Sequence, residues 1–264
     1  MTQLDRDRCW TLLDSYYDAA PRSAARTEEI GPFTLFVGEG PWPYYARPRL
    51  GVSEFAAADI EAVRARQREL GVPEAFEWVD DTTPALLGPI RETGIDVLEA
   101  PLMVLERFNE TTPPPGMDVR ILEADDPALA AATAVANVAF AAAGTAPGPQ
   151  GIRERDAASE VGNLDFRRDR LRRRLTVTAV ADGGYGPVAV GSHNPVGDVT
   201  EVVGVATLPA VRRQGLGGAV TSALVNDALA GGADVVFLSA GSEDIARVYH
   251  RLGFRRIGTA CIAG

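Results

Sequence analysis

The stretch Glu201–Leu224, EVVGVATLPAVRRQGLGGAVTSAL, constrains the fold more than any other part of this chain. It opens with β-branched and apolar residues at both odd and even positions, a pattern typical of a strand buried on both faces. Pro209 ends that strand because proline has no amide hydrogen for the ladder. Leu216, Val220 and Leu224 then recur four apart, which predicts a helix. The order of strand, glycine-rich turn and helix predicts an anion site, since unpaired amides and the positive helix end point outward together.

The spacing of the turn narrows the kind of phosphate that it binds. A P-loop needs Gly-Lys-Ser/Thr, but all 26 basic residues of this chain are arginine. A dinucleotide-binding turn has the pattern GxGxxG, whereas Gly215–Gly218 gives only GxGG. The segment RRQGLGG instead resembles the Q/R-x-x-G-x-G/A signature of the GNAT N-acyltransferase superfamily, with Arg212 or Arg213 as its first residue. In that family, the amides of this loop hold the pyrophosphate of acetyl-CoA.

A second motif follows the first at the distance usual in that family. Residues 234–258 predict a strand over Val235–Ser239, a polar loop, a helix over Glu243–Leu252 and another strand from Phe254. The letters YHRLGF at the end of the helix resemble the family's Tyr-x-x-Leu-Gly-Phe hallmark. With two motifs in the right order, the chain is identified as a member of the GNAT superfamily, which implies an α/β (α+β) fold with a mixed central sheet flanked by helices.

The resemblance also implies where acetyl-CoA binds as co-substrate. The pantetheine arm would run along the backbone of the strand before Pro209 like an extra strand, and the Val205 amide would polarise the thioester carbonyl. At Ser242 many family members have asparagine, which leaves one contact with the pantetheine arm open. The residues expected to bind the co-substrate are Val205, Ala206, Thr207, Arg212, Arg213, Gln214, Gly215, Leu216, Gly217, Gly218 and Ser242.

Acyl transfer from a thioester to an amine also needs a base and an acid. Tyr249, in the second motif, is the candidate acid because a phenol with a pKa of about 10 stays protonated at neutral pH. The alternative for Tyr249 is a packing residue on the inner side of its helix. Glu201 is the candidate base, and its parity along the strand predicts that it shares a side with Val203 and Val205. The alternative for Glu201 is a solvated strand end.

Composition limits the partners and the compartment. The 264 residues are 46% hydrophobic and 23% charged, which is typical of a soluble globular protein. No run of about twenty apolar residues is present, and no signal-peptide pattern opens the chain, so we expect a cytoplasmic protein without a membrane segment. The net charge of -10 argues against a general nucleic-acid binder.

Cysteine and histidine are too scarce to predict a metal site. Cys9 and Cys261 stand near opposite ends of the chain, and we expect reduced thiols without a functional role. His193 lies in the turn-like sequence SHNPVGD, which predicts exposure to solvent, and His250 follows Tyr249 on the predicted helix. The absence of lysine excludes Schiff-base chemistry by a side chain of this protein.

Residues 1–110 are predicted to form a domain of their own. Its elements suggest a degenerate GNAT-like copy, but the segment ARPRLGV has no glycine loop, so we expect a supporting domain that binds no CoA. Trp42, Tyr44 and Tyr45 are candidates for one wall of an acceptor cleft. The predicted elements are helices over Cys9–Tyr17 and Ser53–Leu70, with Ser53 as N-cap and Gly71 as stop, a strand over Phe76–Val79, a helix over Pro84–Thr93, and a strand over Val97–Leu105 broken at Pro101.

Residues 111–117 contain three consecutive prolines and are predicted to form a stiff linker to a catalytic domain over residues 118–264. The basic run Arg167–Arg174 predicts a solvated helix face, with binding of CoA phosphates or of an acidic partner as the alternative. The first elements of the domain are predicted as a strand over Val119–Leu122, helices over Pro127–Ala142 and Asp156–Arg174 around a GTAPGPQG loop, and strands over Leu175–Ala181 and Pro187–Ser192.

The sequence favours an acetyl-CoA-dependent N-acetyltransferase that acts on a primary amine of a small molecule or peptide. A CoA-binding module without turnover and an enzyme for another acyl-CoA or an oxygen acceptor are the alternatives, because the loop contacts only the common CoA handle. The acidic composition suits a cationic acceptor without identifying it. The identity of the acceptor and the formation of a homodimer both remain open.

Overall fold

Helices and strands are interspersed along the described part of the chain, which comprises residues 3–142, 144–158 and 162–264 of a computed structural model. Contacts divide the chain into two units. Unit 1 comprises the residues up to Met103 together with Ser239–Ser242 and Arg256–Gly264. Unit 2 comprises Val104–Leu238 and Glu243–Arg255. Whether residues 111–117 act as a linker between domains stays a prediction.

The elements have the following bounds. The α-helices are α1 (Gln3–Ala19), α2 (Ala57–Leu70), α3 (Leu87–Glu92), α4 (Leu129–Ala141), α5 (Ile152–Ala157), α6 (Leu164–Arg172), α7 (Leu216–Ala230) and α8 (Glu243–Leu252). The strands are β1 (Ala25–Ile30), β2 (Phe33–Gly38), β3 (Ala46–Pro48), β4 (Phe76–Val79), β5 (Val97–Leu105), β6 (Asp118–Ile121), β7 (Val177–Asp182), β8 (Pro187–Val196), β9 (Val199–Thr207), β10 (Val235–Ser239) and β11 (Phe254–Ala263). Single 3₁₀ turns span Ala20–Ser23, Pro84–Leu86 and Pro209–Val211.

Unit 1 is built on strands in the order β1-β2-β3-β4-β11-β5. The strands β1 and β2 form an antiparallel hairpin, and the C-terminal residues of β11 pair antiparallel with β4. The core is formed by fully buried side chains from these strands and from α2, among them Phe33, Ile60, Phe76 and Trp78. The last residues of the chain are therefore part of the same core as the first hundred.

Unit 2 is built on strands in the order β10-β9-β8-β7-β6. The neighbours β6 to β9 pair antiparallel, whereas β9 and β10 pair parallel through the crossover helix α7. Helix α7 packs on β7, β8 and β9, and α4 packs on β8 and β9. Val188 and Val190 of β8 point away from α7 and are buried, which indicates that α4 covers the second face. The predicted mixed sheet flanked by helices is confirmed.

Two local predictions for unit 1 are wrong, and three of its strands were missed. Helix α2 begins at Ala57, and the Asp59 carboxylate accepts a hydrogen bond from the Ala56 amide at 3.0 Å, so Ser53 does not cap the helix. Strand β5 continues through Pro101, whose carbonyl accepts a hydrogen bond from Ala240. The hairpin β1–β2 and strand β3 were not predicted, because prolines interrupt the pattern there.

Two local predictions for unit 2 are also wrong. The helix predicted over Asp156–Arg174 is two helices, α5 and α6, and Asn163 precedes α6 with a positive φ of 65°. Residues 159–161, on which part of that prediction falls, lie outside the described residues. Strand β8 runs on to Val196, and the turn is formed by Gly197 with a φ of 60°. His193 therefore lies inside a strand.

Among the described residues, no helix has both the length and the apolar character needed to cross a membrane.

Candidate functional site

The glycine-rich turn presents backbone amides at the start of α7. Gly215 has a φ of 83°, which favours glycine, and it directly precedes the helix. Its carbonyl accepts the first intrahelical hydrogen bond, from the Ala219 amide at 3.0 Å. The amides of Leu216, Gly217 and Gly218 therefore have no acceptor within the helix. With the positive end of the helix dipole, they form a site for an anion.

The edge of β9 next to this turn lies beyond its pairing with β10. The parallel ladder comprises Val199 with Val235, Thr200 with Val236, and Glu201 with Phe237. Strand β9 continues to Thr207, so residues 202–207 extend past the end of the ladder. A gap between two parallel strands at their carboxyl ends is a common binding place for ligands, because the backbone amides and carbonyls there form no hydrogen bonds with a neighbouring strand.

Strand β9 carries a bulge within this free stretch. Its register with β8 shifts between Val190 and Ser192, where Gly204 and Val205 together oppose Gly191. Gly204 has a φ of 62°, as expected for the glycine of such a bulge. A bulge re-aims the side chains that follow it.

Before the bulge, His193 shows which side of β9 faces α7. Its Nε2 lies 3.0 Å from the carboxylate of Asp227 in α7, and it pairs with Val202 in the ladder. Val202 therefore faces α7, and its neighbours Glu201 and Val203 face away from that helix. His193 is only 1% exposed, so the predicted exposure is wrong. Burial lowers its pKa, although Asp227 acts in the opposite direction.

After the bulge, Val205 points to α7. Its Cγ1 lies 3.7 Å from the position that a Cβ on Gly217 would occupy. The prediction that Glu201 and Val205 share one side of the strand is wrong, because the extra residue of the bulge reverses the alternation between them. Glu201 is half-buried and lies opposite Asn194 of β8.

The two arginines of the turn differ in their environment. Arg212 donates hydrogen bonds to four backbone carbonyls, at distances of 2.8 to 3.3 Å. Two of these carbonyls, of Ala139 and Ala142, belong to the C-terminal end of α4. The Arg212 side chain thereby fixes the turn to α4. Arg213 is exposed, has a φ of 68° and forms no ion pair with any residue that the structure describes.

Tyr249 lies in the middle of a packed helix. Its side chain is 8% exposed, and its ring makes an edge contact with Phe254 at a centroid distance of 5.9 Å. Burial raises the pKa of Tyr249 to about 12. Helix α8 contacts α7, so Tyr249 belongs to the side of unit 2 that carries α7. Ser242 is exposed in the loop before α8.

The basic run and the aromatic residues that the sequence singled out mostly form contacts within the protein. Arg172, Arg173 and Arg174 of the basic run are more than half exposed, and each forms an ion pair with an aspartate of unit 2. Arg170 is 8% exposed and donates to the Thr176 hydroxyl. Trp42, Tyr44 and Tyr45 lie between β2 and β3 of unit 1, where the two tyrosine rings are 6.0 Å apart. Their contribution to acceptor binding stays a prediction.

The structure adds features that sequence analysis missed. A cavity of ≈ 340 Å³ adjoins the 3₁₀ turn before α7. Its lining residues are Pro149, Gly151, Ile152, Arg153, Glu154, Val188, Leu208, Ala210 and Val211. They come from distant parts of unit 2, and no local pattern connects them. No cluster of metal ligands is found among the residues with described positions.

Comparisons with known proteins agree with this architecture. Residues 193–262 match the model of the FR47-like protein family, and this range contains the glycine turn, Glu201 and Tyr249. Comparison with curated proteins finds no match. A solved GCN5-related N-acetyltransferase from Kribbella flavida is 23% identical, with a TM-score of 0.71 over 96% of this chain and 93% of that one.

Two further solved structures resemble the chain at lower identity. A tandem GNAT protein from the clavulanic acid biosynthesis pathway is 14% identical, with a TM-score of 0.56 over 88% of this chain and 77% of that one. A functionally unknown conserved protein from Staphylococcus epidermidis is also 14% identical, with a TM-score of 0.56 over 94% of this chain and 96% of that one. The chain thus has the fold of these GNAT proteins, as its two motifs predicted.

Proposed function

We propose that this protein is an acetyl-CoA-dependent N-acetyltransferase that transfers the acetyl group to a primary amine by direct attack on the thioester. The observation that carries the proposal is the junction of β9 and α7, where free helix amides adjoin a strand edge beyond its ladder. The GNAT fold supports acyl transfer from an acyl-CoA in general. The acetyl group, the amine acceptor and the residues that follow are part of the proposal.

The turn would hold the pyrophosphate of acetyl-CoA. The amides of Leu216, Gly217 and Gly218 suit phosphate oxygens because they lack acceptors within the helix. Gly217 and Gly218 carry no side chain that would keep a phosphate away from these amides. Arg213 adds an exposed positive charge, whereas Arg212 positions the turn through its carbonyl contacts.

The free edge of β9 would hold the pantetheine arm. Residues Val205, Ala206 and Thr207 lie past the end of the β9–β10 ladder, and an amide-containing chain pairs with such an edge as an added strand does. The arm would then bring the thioester to the level of the bulge. A backbone amide there, with Val205 as the candidate, would donate to the carbonyl oxygen as its negative charge develops.

Proton transfers complete the reaction. Glu201 takes a proton from the ammonium group of the acceptor, directly or through a water molecule, and leaves a neutral amine. The amine nitrogen then forms a bond to the carbonyl carbon, and the carbon–sulfur bond breaks. Tyr249 donates a proton to the departing sulfur, and the proton that the attacking nitrogen loses as the amide forms restores the phenol through solvent. The products are the acetylated amine and CoA, with one proton released to solvent for each ammonium group consumed.

The positions of the two groups support this division of roles. Glu201 faces away from α7, whereas Tyr249 belongs to the helix that packs beside α7. An amine would thus approach from one face of the sheet, and the leaving sulfur would be protonated from the other. A buried phenol with a pKa of about 12 stays in its protonated form at neutral pH, as a proton donor requires.

Isothermal titration with acetyl-CoA tests the binding half of the proposal. Wild-type protein is compared with Gly217→Trp, whose indole would fill the space over the helix amides, and with Leu229→Trp at an exposed position of the same helix. We expect a Kd of tens of micromolar or tighter, about 6 kcal/mol or more. Binding should be lost in Gly217→Trp alone.

Turnover tests the catalytic half. Release of CoA is measured with a panel of primary amines for the wild type and for Tyr249→Phe. Binding without turnover of any amine would favour a CoA-binding module instead of an enzyme. Absence of acetyl-CoA binding by the wild type would refute both.

A further inference from the structure

One face of β7, β8 and β9 changes from apolar to polar along its length. On the face that points away from α7, the residues Val180, Val190 and Ala206 occupy neighbouring ladder positions and are at most 6% exposed. The next ladder position on this face brings Thr178 beside Ser192. A sheet face that packs on a helix through apolar contacts stays apolar. The polar end is therefore a region of hydrogen bonding, to which α6 contributes Arg170.

We define the polar patch as the five polar side chains at this end of the face. Thr178 pairs with Ser192 in the β7–β8 ladder, and Asn194 pairs with Glu201 in the β8–β9 ladder. Ser192, Asn194 and Glu201 are all half-buried. The polar patch comprises Thr176, Thr178, Ser192, Asn194 and Glu201.

Hydrogen bonds fix the orientation of these side chains. The Arg170 Nε donates to the Thr176 hydroxyl at 3.1 Å, and that hydroxyl donates to Asn194 Oδ1 at 2.8 Å. Because its oxygen faces Thr176, the amide group of Asn194 directs its two N–H donors away from β7. The Thr178 and Ser192 hydroxyls lie 2.9 Å apart. The patch is thus ordered without a ligand, as a selective binding site requires.

The patch surrounds the proposed base. Glu201 and Asn194 are direct cross-strand neighbours, which places them one strand spacing of about 4.8 Å apart. Ser192 lies two residues along the same strand, on the same face, at roughly 7 Å. If the ammonium group of an acceptor binds at Glu201, the rest of the acceptor molecule therefore lies beside the amide of Asn194 and the hydroxyls of Ser192 and Thr178.

We infer that the polar patch binds the amine acceptor and selects amines with hydroxyl groups on neighbouring carbons, such as amino alcohols and amino sugars. Hydroxyl substituents can exchange hydrogen bonds with the polar side chains of the patch in place of water, whereas an aromatic or alkyl substituent displaces that water and offers no hydrogen bond in return. The inference rests on the proposed acetyl transfer and names the acceptor class for the same site.

The test compares acceptors and variants in one assay. Initial rates of CoA release at saturating acetyl-CoA are measured with glucosamine and 2-amino-1,3-propanediol, and with phenylethylamine and putrescine. The variants are Asn194→Leu, the milder Ser192→Ala, and Asn226→Leu as a matched control on the exposed face of α7. Acetyl-CoA affinity by calorimetry shows whether each variant keeps the co-substrate site intact.

We expect kcat/KM of the wild type to be at least about tenfold higher for the hydroxylated amines. Asn194→Leu and Ser192→Ala should reduce that preference at least about fivefold, mainly through KM, because each removes a hydrogen-bonding group from the patch. Asn226→Leu should keep the wild-type preference. Should Asn194→Leu lose acetyl-CoA binding through misfolding, Ser192→Ala carries the comparison.

Two results would overturn the inference while leaving acetyl transfer intact. One is a wild-type preference for phenylethylamine or putrescine. The other is an unchanged preference in both patch variants that still bind acetyl-CoA. Failure of the proposed function looks different, because then the wild type either does not bind acetyl-CoA or acetylates none of the four amines, and the inference falls with it.

Discussion

Replacement of either arginine in the turn by alanine should separate a structural role from a binding role. Arg212 makes four hydrogen bonds to backbone carbonyls, three of them partly buried, while Arg213 is exposed at the helix N-terminus. A hydrogen bond to a charged group is worth about 1.5–3 kcal/mol, and contributions within one guanidinium are far from additive. Partial exposure lets water replace some of these bonds in the variant. We therefore expect Arg212→Ala to lower the free energy of unfolding by about 2–3 kcal/mol.

The two variants should give opposite patterns in two measurements. For a chain of this size, the loss in Arg212→Ala corresponds to a melting temperature lowered by roughly 4–10 °C in scanning calorimetry of the free protein. Arg213→Ala should melt within about 1 °C of the wild type but bind acetyl-CoA several-fold more weakly, with a smaller dependence on salt. The reasoning is refuted if Arg212→Ala melts like the wild type and loses acetyl-CoA affinity, because its guanidinium would then bind the ligand.

Three further predictions concern buried titratable groups. Burial raises the pKa of Tyr249 to about 12, so the folded state resists ionisation of the phenol. Between pH 9 and 11, the free energy of unfolding of the wild type should therefore fall by about 1 kcal/mol relative to that of Tyr249→Phe, as measured by urea titration. Burial lowers the pKa of His193, so the stabilising effect of the neutral imidazole is present above the unfolded pKa of about 6.5 and is lost as the pH falls. The difference in melting temperature between the wild type and His193→Gln should therefore shrink between pH 7.5 and 5.5. Burial also raises the pKa of the thiols of Cys9 and Cys261, the latter to about 12. A thiol reagent should therefore modify neither cysteine in the native protein and both after denaturation. Fast labelling of the native protein would contradict their burial.

The parts of the fold that depend on local pattern were predicted from the sequence. Strand β10 spans Val235–Ser239 and α8 spans Glu243–Leu252, as predicted, because alternation and apolar spacing act over a few residues. Gly71 ends α2 with a φ of 66°, which the residue type itself favours. The GNAT fold followed from two such segments in the right order.

The parts that depend on distant residues were not predicted. Burial of His193 follows from Asp227, a residue in another element, and the turn-like letters around it gave no sign of this partner. Arg212 matched a ligand-binding pattern, yet its four acceptors belong to the end of α4, the loop after it and the end of β9. The polar patch is visible only once the strand registers are known, because Asn194 and Glu201 stand in different strands.

The bulge in β9 makes this strand unusually sensitive to a change in length. Deletion of Gly204 would restore plain alternation, so that one half of the strand would have to turn over relative to the other. Either Glu201 would then face α7, or the residues that lead into the glycine turn would exchange their inner and outer sides. A sequence alignment that places a one-residue gap at Gly204 would therefore match strands whose equivalent side chains, such as that of Glu201, lie on opposite faces of the sheet. Loop insertions elsewhere in unit 2 carry no such penalty, since they leave the alternation within each strand unchanged.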